Sequence, residues 1–380
     1  MNVTTFRKPR FTALTNHLRF IPKNALEPEH CNIERFIGAA QVPLGLAGPI
    51  EVWGDHARGE FHVPFATTES TLVSGYTLGM LAASRSGGIR AKVLSRRTDI
   101  TPVFEFQNLD DCARFAAWLP DRLPELRAAC ATQTKHSRLT GVRPVVIGRR
   151  VFVHFAFDTG DAMGLNSISF ATDACCQMLQ RDFPGIRRWY LRSNLSADKK
   201  PAFSNFLHGY GKEVCAEVTI RREVAEGMLK VTPEQMCDFW HASVLSGFQA
   251  GTMGHNAQYA NALAAIFIAC GQDVAQVVNA VQGISTCELD SAGDAYFSVR
   301  LPCLIVGTIG GGTHLPTQRE CLELMGCYGA DASDKFAEIV GATLLAGEIS
   351  ICAGLANGTF IQAHARKRRF ATRWRDELQV

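Results

Sequence analysis

The sequence predicts an α+β protein in which a smaller α+β unit is inserted into a larger one. Three observations carry this. Residues 101–190 have their own alternation of apolar strands and helices. The flanking segments supply small-and-apolar helical runs at 239–268 and 333–356 beside an alternating strand at 213–220. No Gly-x-Gly-x-x-Gly turn opens a dinucleotide-binding unit, so a doubly wound parallel sheet is not expected.

The 380-residue chain is long enough for about two or three compact units, and 47% apolar residues can fill a sizeable core. Its 39 basic residues against 36 acidic ones leave a net charge of +3, which excludes nucleic acid or a membrane surface as the main partner. The 13 cysteines are an odd number without paired zinc-ribbon spacing, which predicts reduced thiols in a cytoplasm and no metal. Residues 1–19 are polar and broken by Pro9, so no secretory leader is expected. The runs 260–270 and 339–356 read as too short, or too interrupted by Glu348, to span a bilayer.

Taken in order, residues 1–33 have weak periodicity and predict an N-terminal arm. Gly38, Gly45 and Gly48 then alternate with apolar residues, Pro43 and Pro49, which is either a tightly turned strand pair or a backbone that a ligand approaches. From Pro64 a strand end runs into a helix with Leu72, Val73, Tyr76 and Met80 on one face, capped by Thr67 or Thr68. Glu69 would lie in its first turn, as a capping acid or as a proton donor.

Within 101–190, strands are expected at 103–106, 145–147 and 151–157 and a helix around 113–119. The turn Gly-Asp-Ala-Met-Gly-Leu-Asn at 160–166 precedes a helix with Ile168, Ala171, Cys175, Met178 and Leu179 toward a core, which aims backbone N–H groups at an anion. The loop Arg-Ser-Asn-Leu-Ser-Ala-Asp-Lys-Lys-Pro at 192–201 sets a carboxylate beside two ammonium groups. In a cleft such a lysine holds a developing oxyanion; on a surface it is a solvated turn. Pro233 opens a long helical region, with Gly247, Gly251 and Gly254 for close approach and Asn256 and Asn261 as buried polar candidates. Asp273 reads as the N-cap of a helix at 274–281. A buried strand at 301–306 leads into the glycine run 307–313, a backbone passing close to something. The apolar helix 333–356 is ended by Gly358, ahead of His364 and the basic run 366–369.

Together the segments 34–50, 65–73, 161–166, 198–202, 256–273 and 306–313, with His364, resemble the 3-hydroxy-3-methylglutaryl-CoA (HMG-CoA) reductase family across residues 34–369. The resemblance implies a large domain around a long central helix, formed by 34–101 and 191–380. A small ferredoxin-like NADP-binding domain at 102–190 is inserted into it, after a short arm at 1–33. It also implies a homodimer with active sites between subunits. The implied activity is a four-electron reduction of a CoA thioester to a primary alcohol, most simply HMG-CoA to mevalonate and CoA.

By the same resemblance Glu69, Lys199, Asp273 and His364 are catalytic. Ser137, Arg138 and Arg369 would meet the ribose phosphate of NADPH, which favours it over NADH. Asp161, Met163, Gly164, Asn166, Gly307, Gly310 and Gly311 would line the rest of the cofactor site. Arg192, Asp198, Lys200, His241 and Asn261 would bind substrate, but here the chain departs from the family. Ile100, Arg192 and His241 stand where an arginine, a serine and a lysine are usual, and Gln258 replaces a histidine. Phe370 replaces the phosphorylatable serine of animal members. Arg192 is expected as a replacement carboxylate clamp. The departures also admit a second reading, reduction of a different CoA- or carrier-protein-bound acyl group. A third is a non-catalytic ligand-binding homologue, against which the four retained catalytic positions argue.

Overall fold

The computed structural model describes residues 33–361. The arm before residue 33, and His364, Arg369 and the basic run, lie outside the described residues. Strands β1 (Leu44–Gly54) and β2 (Arg58–Ala66) form an antiparallel pair, so the glycine-rich start is a strand pair. Gly45 lets helix α1 (Leu72–Arg85) close on it: a Cβ there would stand 2.6 Å from Val73 Cγ2.

The chain then runs through β3 (Ile89–Ile100), β4 (Val103–Glu105), α2 (Leu109–Trp118), α3 (Leu123–Ala131), β5 (Arg138–Ile147), β6 (Arg150–Asp158), α4 (Leu165–Asp182) and β7 (Arg188–Tyr190). After the lysine loop come α5 (Phe203–His208), β8 (Gly211–Ile220), α6 (Pro233–Ala250), α7 (Tyr259–Ala269), β9 (Ile284–Leu289), β10 (Ala295–Leu304), α8 (Pro316–Leu324) and α9 (Ser333–Ala356). The sheet order is β7-β4-β6-β3-β8-β10-β9, with β1 and β2 joined through β3 and β5 through β6. Between these strands every pairing is antiparallel except β1 with β3.

Apolar side chains gather into two main clusters. One draws on Phe104, Phe115, Phe155, Phe157, Ile168, Cys175 and Leu179, between the strands and helices α2 to α4. The other surrounds α9, whose residues 336–350 are buried without a break. Strand β3 serves both, with Ile89 and Ala91 in the larger cluster and Ile100 in the smaller.

Three expectations change. α9 has the 24-residue length and apolar character of a membrane span, and Glu348 does not interrupt it. Its surface is spent inside the protein, with the Glu348 carboxylate accepting from the N–H groups of Ala257 (2.9 Å) and Gln258 (2.9 Å) and from Ser285 Oγ (2.9 Å). The helical run 239–268 is broken into α6 and α7 by Gly251 (φ 70°) and Gly254 (φ 89°), and a Cβ at Gly254 would meet the Gly283 carbonyl at 2.5 Å. Finally, α1 starts at Leu72, so neither Thr67 nor Thr68 caps it and Glu69 is not in its first turn. The Thr67 hydroxyl takes the Glu69 N–H at 3.0 Å instead, a local turn that competes with helix.

Candidate active site

The lysine loop is built on two left-handed residues, Ala197 (φ 50°) and Lys199 (φ 56°), a conformation that costs a non-glycine residue about 1–3 kcal/mol. Surrounding hydrogen bonds over-determine it. The Ala197 carbonyl accepts from Asn205 Nδ2 (3.1 Å) and Asn279 Nδ2 (3.4 Å). The N–H of Ser196 goes to Thr101 Oγ1 (2.9 Å) and that of Ala202 to Gln282 Oε1 (3.0 Å). So shaped, the loop delivers Lys199 Nζ to 2.7 Å from Asp273 Oδ2.

Asp273 does two jobs. Its Oδ1 accepts the Ala275 N–H at 3.1 Å, the predicted N-cap, while Oδ2 faces the ammonium. Beside this pair Asp198 takes Gln276 Nε2 on one oxygen (2.8 Å) and Arg192 Nη1 on the other (3.3 Å). Tyr210 is buried nearby, where burial and then the Asp198 charge push its phenol well above the usual range. Lys200 Nζ turns back to the Asp198 carbonyl (3.1 Å).

Arg192, Asp198, Lys199 and Asp273 line a cleft of ≈ 990 Å³ together with Met163, Gly164, Asn166, Gly310 and Gly311. Gly164 (φ 74°) is the N-cap of α4 and offers no side chain to the first-turn N–H groups, and no acidic residue lies in that turn. Those donors, unpartnered among the described residues, suit the pyrophosphate of a dinucleotide together with the backbone of Gly310 and Gly311. The glycine run is fixed from behind. Gln272 donates Nε2 to the Gly307 carbonyl (2.9 Å) and accepts the Gly307 N–H (2.8 Å). Gly271 (φ 65°) lies so close to the run that a Cβ would stand 2.3 Å from the Gly312 carbonyl oxygen.

Asp161 and Gly307 are not among the lining residues; they join loops. The Asp161 carboxylate accepts the N–H groups of Asp331 (2.9 Å) and Ser333 (3.1 Å) at the start of α9, and its carbonyl accepts that of Thr308 (2.8 Å). Burial opposes its ionisation, but the backbone donors outweigh burial and hold the carboxyl below its usual range. One residue into α9, Asp334 meets Lys212 Nζ (2.8 Å) and Arg96 Nε (3.1 Å). Burial opposes its ionisation, yet these two cations hold it at about 2. Ser137 contacts Ser167 Oγ (3.2 Å) and Arg138 stands 3.7 Å from Asp158, both outside the cleft lining.

Within one chain the predicted catalytic set is divided. Glu69 is exposed, with Oε1 3.5 Å from Asn261 Nδ2, in a separate groove of ≈ 440 Å³ shared with Gln258, Ser350 and Ile351. Asn261 and Asn256 are half-buried rather than buried. His241 lies exposed on α6 against Trp240 and lines neither cavity. Ile100 is only 1% exposed, in the smaller cluster. The amides Gln272, Gln276, Asn279 and Gln282 hold the loop and the glycine run and went unremarked in the sequence. Their recurrence at helical spacing after Gly271 was the available signal.

The sequence profile described as hydroxymethylglutaryl-coenzyme A reductase matches residues 12–369. The chain belongs to the hydroxymethylglutaryl-coenzyme A reductase family. Among curated members, the 3-hydroxy-3-methylglutaryl-coenzyme A reductase of Aeropyrum pernix is 42% identical over 340 residues, 88% of this chain and 80% of that one. The reductase of Pyrococcus horikoshii is 38% identical over 340 residues, 88% and 82% of the two chains. Among solved structures, the class II reductase of Streptococcus pneumoniae described as bound to NADPH in open conformations superposes with a TM-score of 0.70. It has 18% identity and covers 92% of this chain and 93% of that one. The α+β architecture with its antiparallel sheet is thus the family's.

Proposed function

We propose that the chain is an NADPH-dependent reductase that converts HMG-CoA to mevalonate and CoA. The observation that carries this is the Lys199–Asp273 pair, at 2.7 Å, lining the same cleft as the start of a helix whose N-cap is Gly164 and as the glycines Gly310 and Gly311. NADPH supplies a hydride in each of two rounds. The first reduces the thioester carbonyl to a hemithioacetal, which collapses to an aldehyde and CoA thiol; the second reduces the aldehyde to the alcohol. Each round takes up one proton.

In both rounds Lys199 stands where it can hold the oxygen that gains charge, an interaction whose removal typically costs about 3–4 kcal/mol. Asp273 fixes the ammonium and the start of its own helical turn together. Glu69 protonates the reduced carbonyl and His364 the departing thiolate, roles that follow from the family resemblance. Met163, Gly164, Asn166, Gly310 and Gly311 would hold the nicotinamide half and the pyrophosphate of NADPH. Ser137, Arg138 and Arg369 are proposed for its ribose phosphate.

The same reading divides the chain into a substrate domain, 34–101 with 191–380, around α9, and a ferredoxin-like cofactor domain, 102–190. It is supported by the two apolar clusters. It also makes the enzyme a homodimer: Glu69 and Asn261 open onto one groove and Lys199 and Asp273 onto another, so a complete site is assembled from facing copies. The 12 described cysteines are all free thiols, in keeping with a reducing cytoplasm.

A second reading keeps the chemistry and changes the acyl group. Ile100 is buried and uncharged where the family places an arginine, which favours a thioester without the distal carboxylate. Steady-state NADPH oxidation with HMG-CoA and with neutral acyl-CoA thioesters decides between them: mevalonate formation establishes the first reading, and activity on neutral thioesters alone establishes the second. Lys199→Ala should lower kcat about 10²–10³-fold on whichever substrate is used. Unchanged turnover would remove the mechanism.

A further inference from the structure

The guanidinium of Arg192 is turned onto the protein at both of its outer nitrogens. Nη2 donates to the Leu165 carbonyl (3.2 Å) and to Ser169 Oγ (2.6 Å), and Nη1 donates to Asp198 Oδ2 (3.3 Å). The first two acceptors lie at the start of α4, the wall proposed for the cofactor; the third lies in the lysine loop. Asp198 in turn holds Gln276 at 2.8 Å, on the helical turn that Asp273 caps, and Asp273 holds Lys199, the residue after Asp198. The contacts therefore close a ring, from α4 through Arg192, Asp198, Gln276 and Asp273 back to Lys199.

From this ring we infer that Arg192 is a positioning residue for Lys199, acting through Asp198, and not the clamp for the acyl group's carboxylate that its position in the loop suggests. A clamp needs the paired N–H groups of one guanidinium edge to face the ligand. Here the outer nitrogens are already committed to protein acceptors, and the one charged acceptor among them, Asp198, is a carboxylate that repels an incoming acid. What the arrangement does supply is a strap between the start of α4, where the cofactor would be held, and the lysine loop, which fixes the Lys199 ammonium relative to that helix start. The left-handed φ of 56° at Lys199 makes that loop dependent on outside contacts for its shape. The inference rests on the reductase reading, since Lys199 is taken as the residue that meets the reacting oxygen.

The test compares wild type with Arg192→Ser, Arg192→Lys and Ser169→Ala in steady-state assays with HMG-CoA and NADPH, with free 3-hydroxy-3-methylglutarate as competitive inhibitor. A strap predicts that Arg192→Ser lowers kcat by about 10²-fold, the scale of a small misplacement of a reacting group. KM and the inhibition constant should stay within about threefold, because ground-state binding is untouched. Arg192→Lys should recover part of kcat through a single bond to Asp198, and Ser169→Ala should fall in the same direction by less. A rise of about tenfold or more in both KM and the inhibition constant, at unchanged kcat, would make Arg192 a clamp and overturn the inference. Unchanged kinetics would overturn it as well. If wild type oxidises no NADPH with HMG-CoA or with neutral acyl-CoA thioesters, the reductase reading fails by itself and the strap is read from amide hydrogen exchange. Faster exchange of residues 193–200 in Arg192→Ser supports it, and identical exchange overturns it.

Discussion

Asp273 offers a way to separate its structural role from the catalytic one proposed for it, because its two oxygens have different partners. Oδ1 caps a helical turn through the Ala275 N–H, and Oδ2 holds the Lys199 ammonium at 2.7 Å. Asparagine keeps the cap, since its amide oxygen accepts the same N–H, but loses the charge; alanine loses both. Losing the cap costs about 0.5–2 kcal/mol. The ion pair contributes at most about 1 kcal/mol to stability, because its side chains are 41% and 30% exposed and solvent screens them. Asp273→Asn should therefore move the thermal midpoint by no more than about 2 °C, and Asp273→Ala by roughly twice that. Turnover should tell the opposite story. Without its partner Lys199 is no longer aimed, so both variants should lose about 10²-fold or more in kcat, as when an oxyanion donor is removed. Steady-state NADPH oxidation and thermal denaturation of the same preparations make the measurement. If Asp273→Asn keeps wild-type kcat while Asp273→Ala loses activity and stability together, Asp273 is a helix cap and nothing more.

Three further outcomes follow from the same geometry. Asp334, held at about 2 by Arg96 and Lys212, contributes stability that is present above the unfolded carboxyl's titration near 4 and is lost as pH falls toward 2, about 2 kcal/mol in all. Acid titration of Asp334→Asn should show that limb flattened, and the variant should be about 3–5 kcal/mol less stable at neutral pH, because Lys212, only 7% exposed, loses its partner. Gly271→Ala, which sets a Cβ 2.3 Å from the Gly312 carbonyl at a φ of 65°, should displace the glycine run and raise the KM for NADPH more than that for the thioester. Co-expressed Glu69→Gln and Lys199→Ala subunits, each inactive alone, should recover about a quarter of wild-type activity if facing copies share a site. No recovery would place each site within one chain.

Local pattern made much of this fold legible. The helix of 333–356 and the strand at 213–220 could be read because burial on every side, or on alternate sides, leaves an unmistakable composition. The turn at 160–166 was equally plain as the start of a helix, but the use of Asp161 was not, since its acceptors' donors arrive from residue 331 onward. The same limit applies to Lys199 and Asp273, which no periodicity links across the sequence between them; only the combined resemblance paired them. Glu69 shows the opposite failure, where a threonine two residues earlier takes the Glu69 N–H in a local turn and the helix starts only at Leu72. Arg192 was legible as unusual in its loop, but where a long side chain points depends on which acceptors the fold brings near, and these came from α4.

Strand β3 ties the two apolar clusters together in a way that bears on how the protein moves and melts. It pairs with β8 over residues 90–97 and with β6 over 98–100, so one uninterrupted stretch of backbone belongs to both halves of the sheet. Any opening of the cleft would then be accommodated as torsion along a continuous beam at β3, since no slack linker is available there to act as a joint. Heat should likewise find no weak seam at that crossing, and the smaller cluster should lose its structure in step with the larger rather than as an independently melting module.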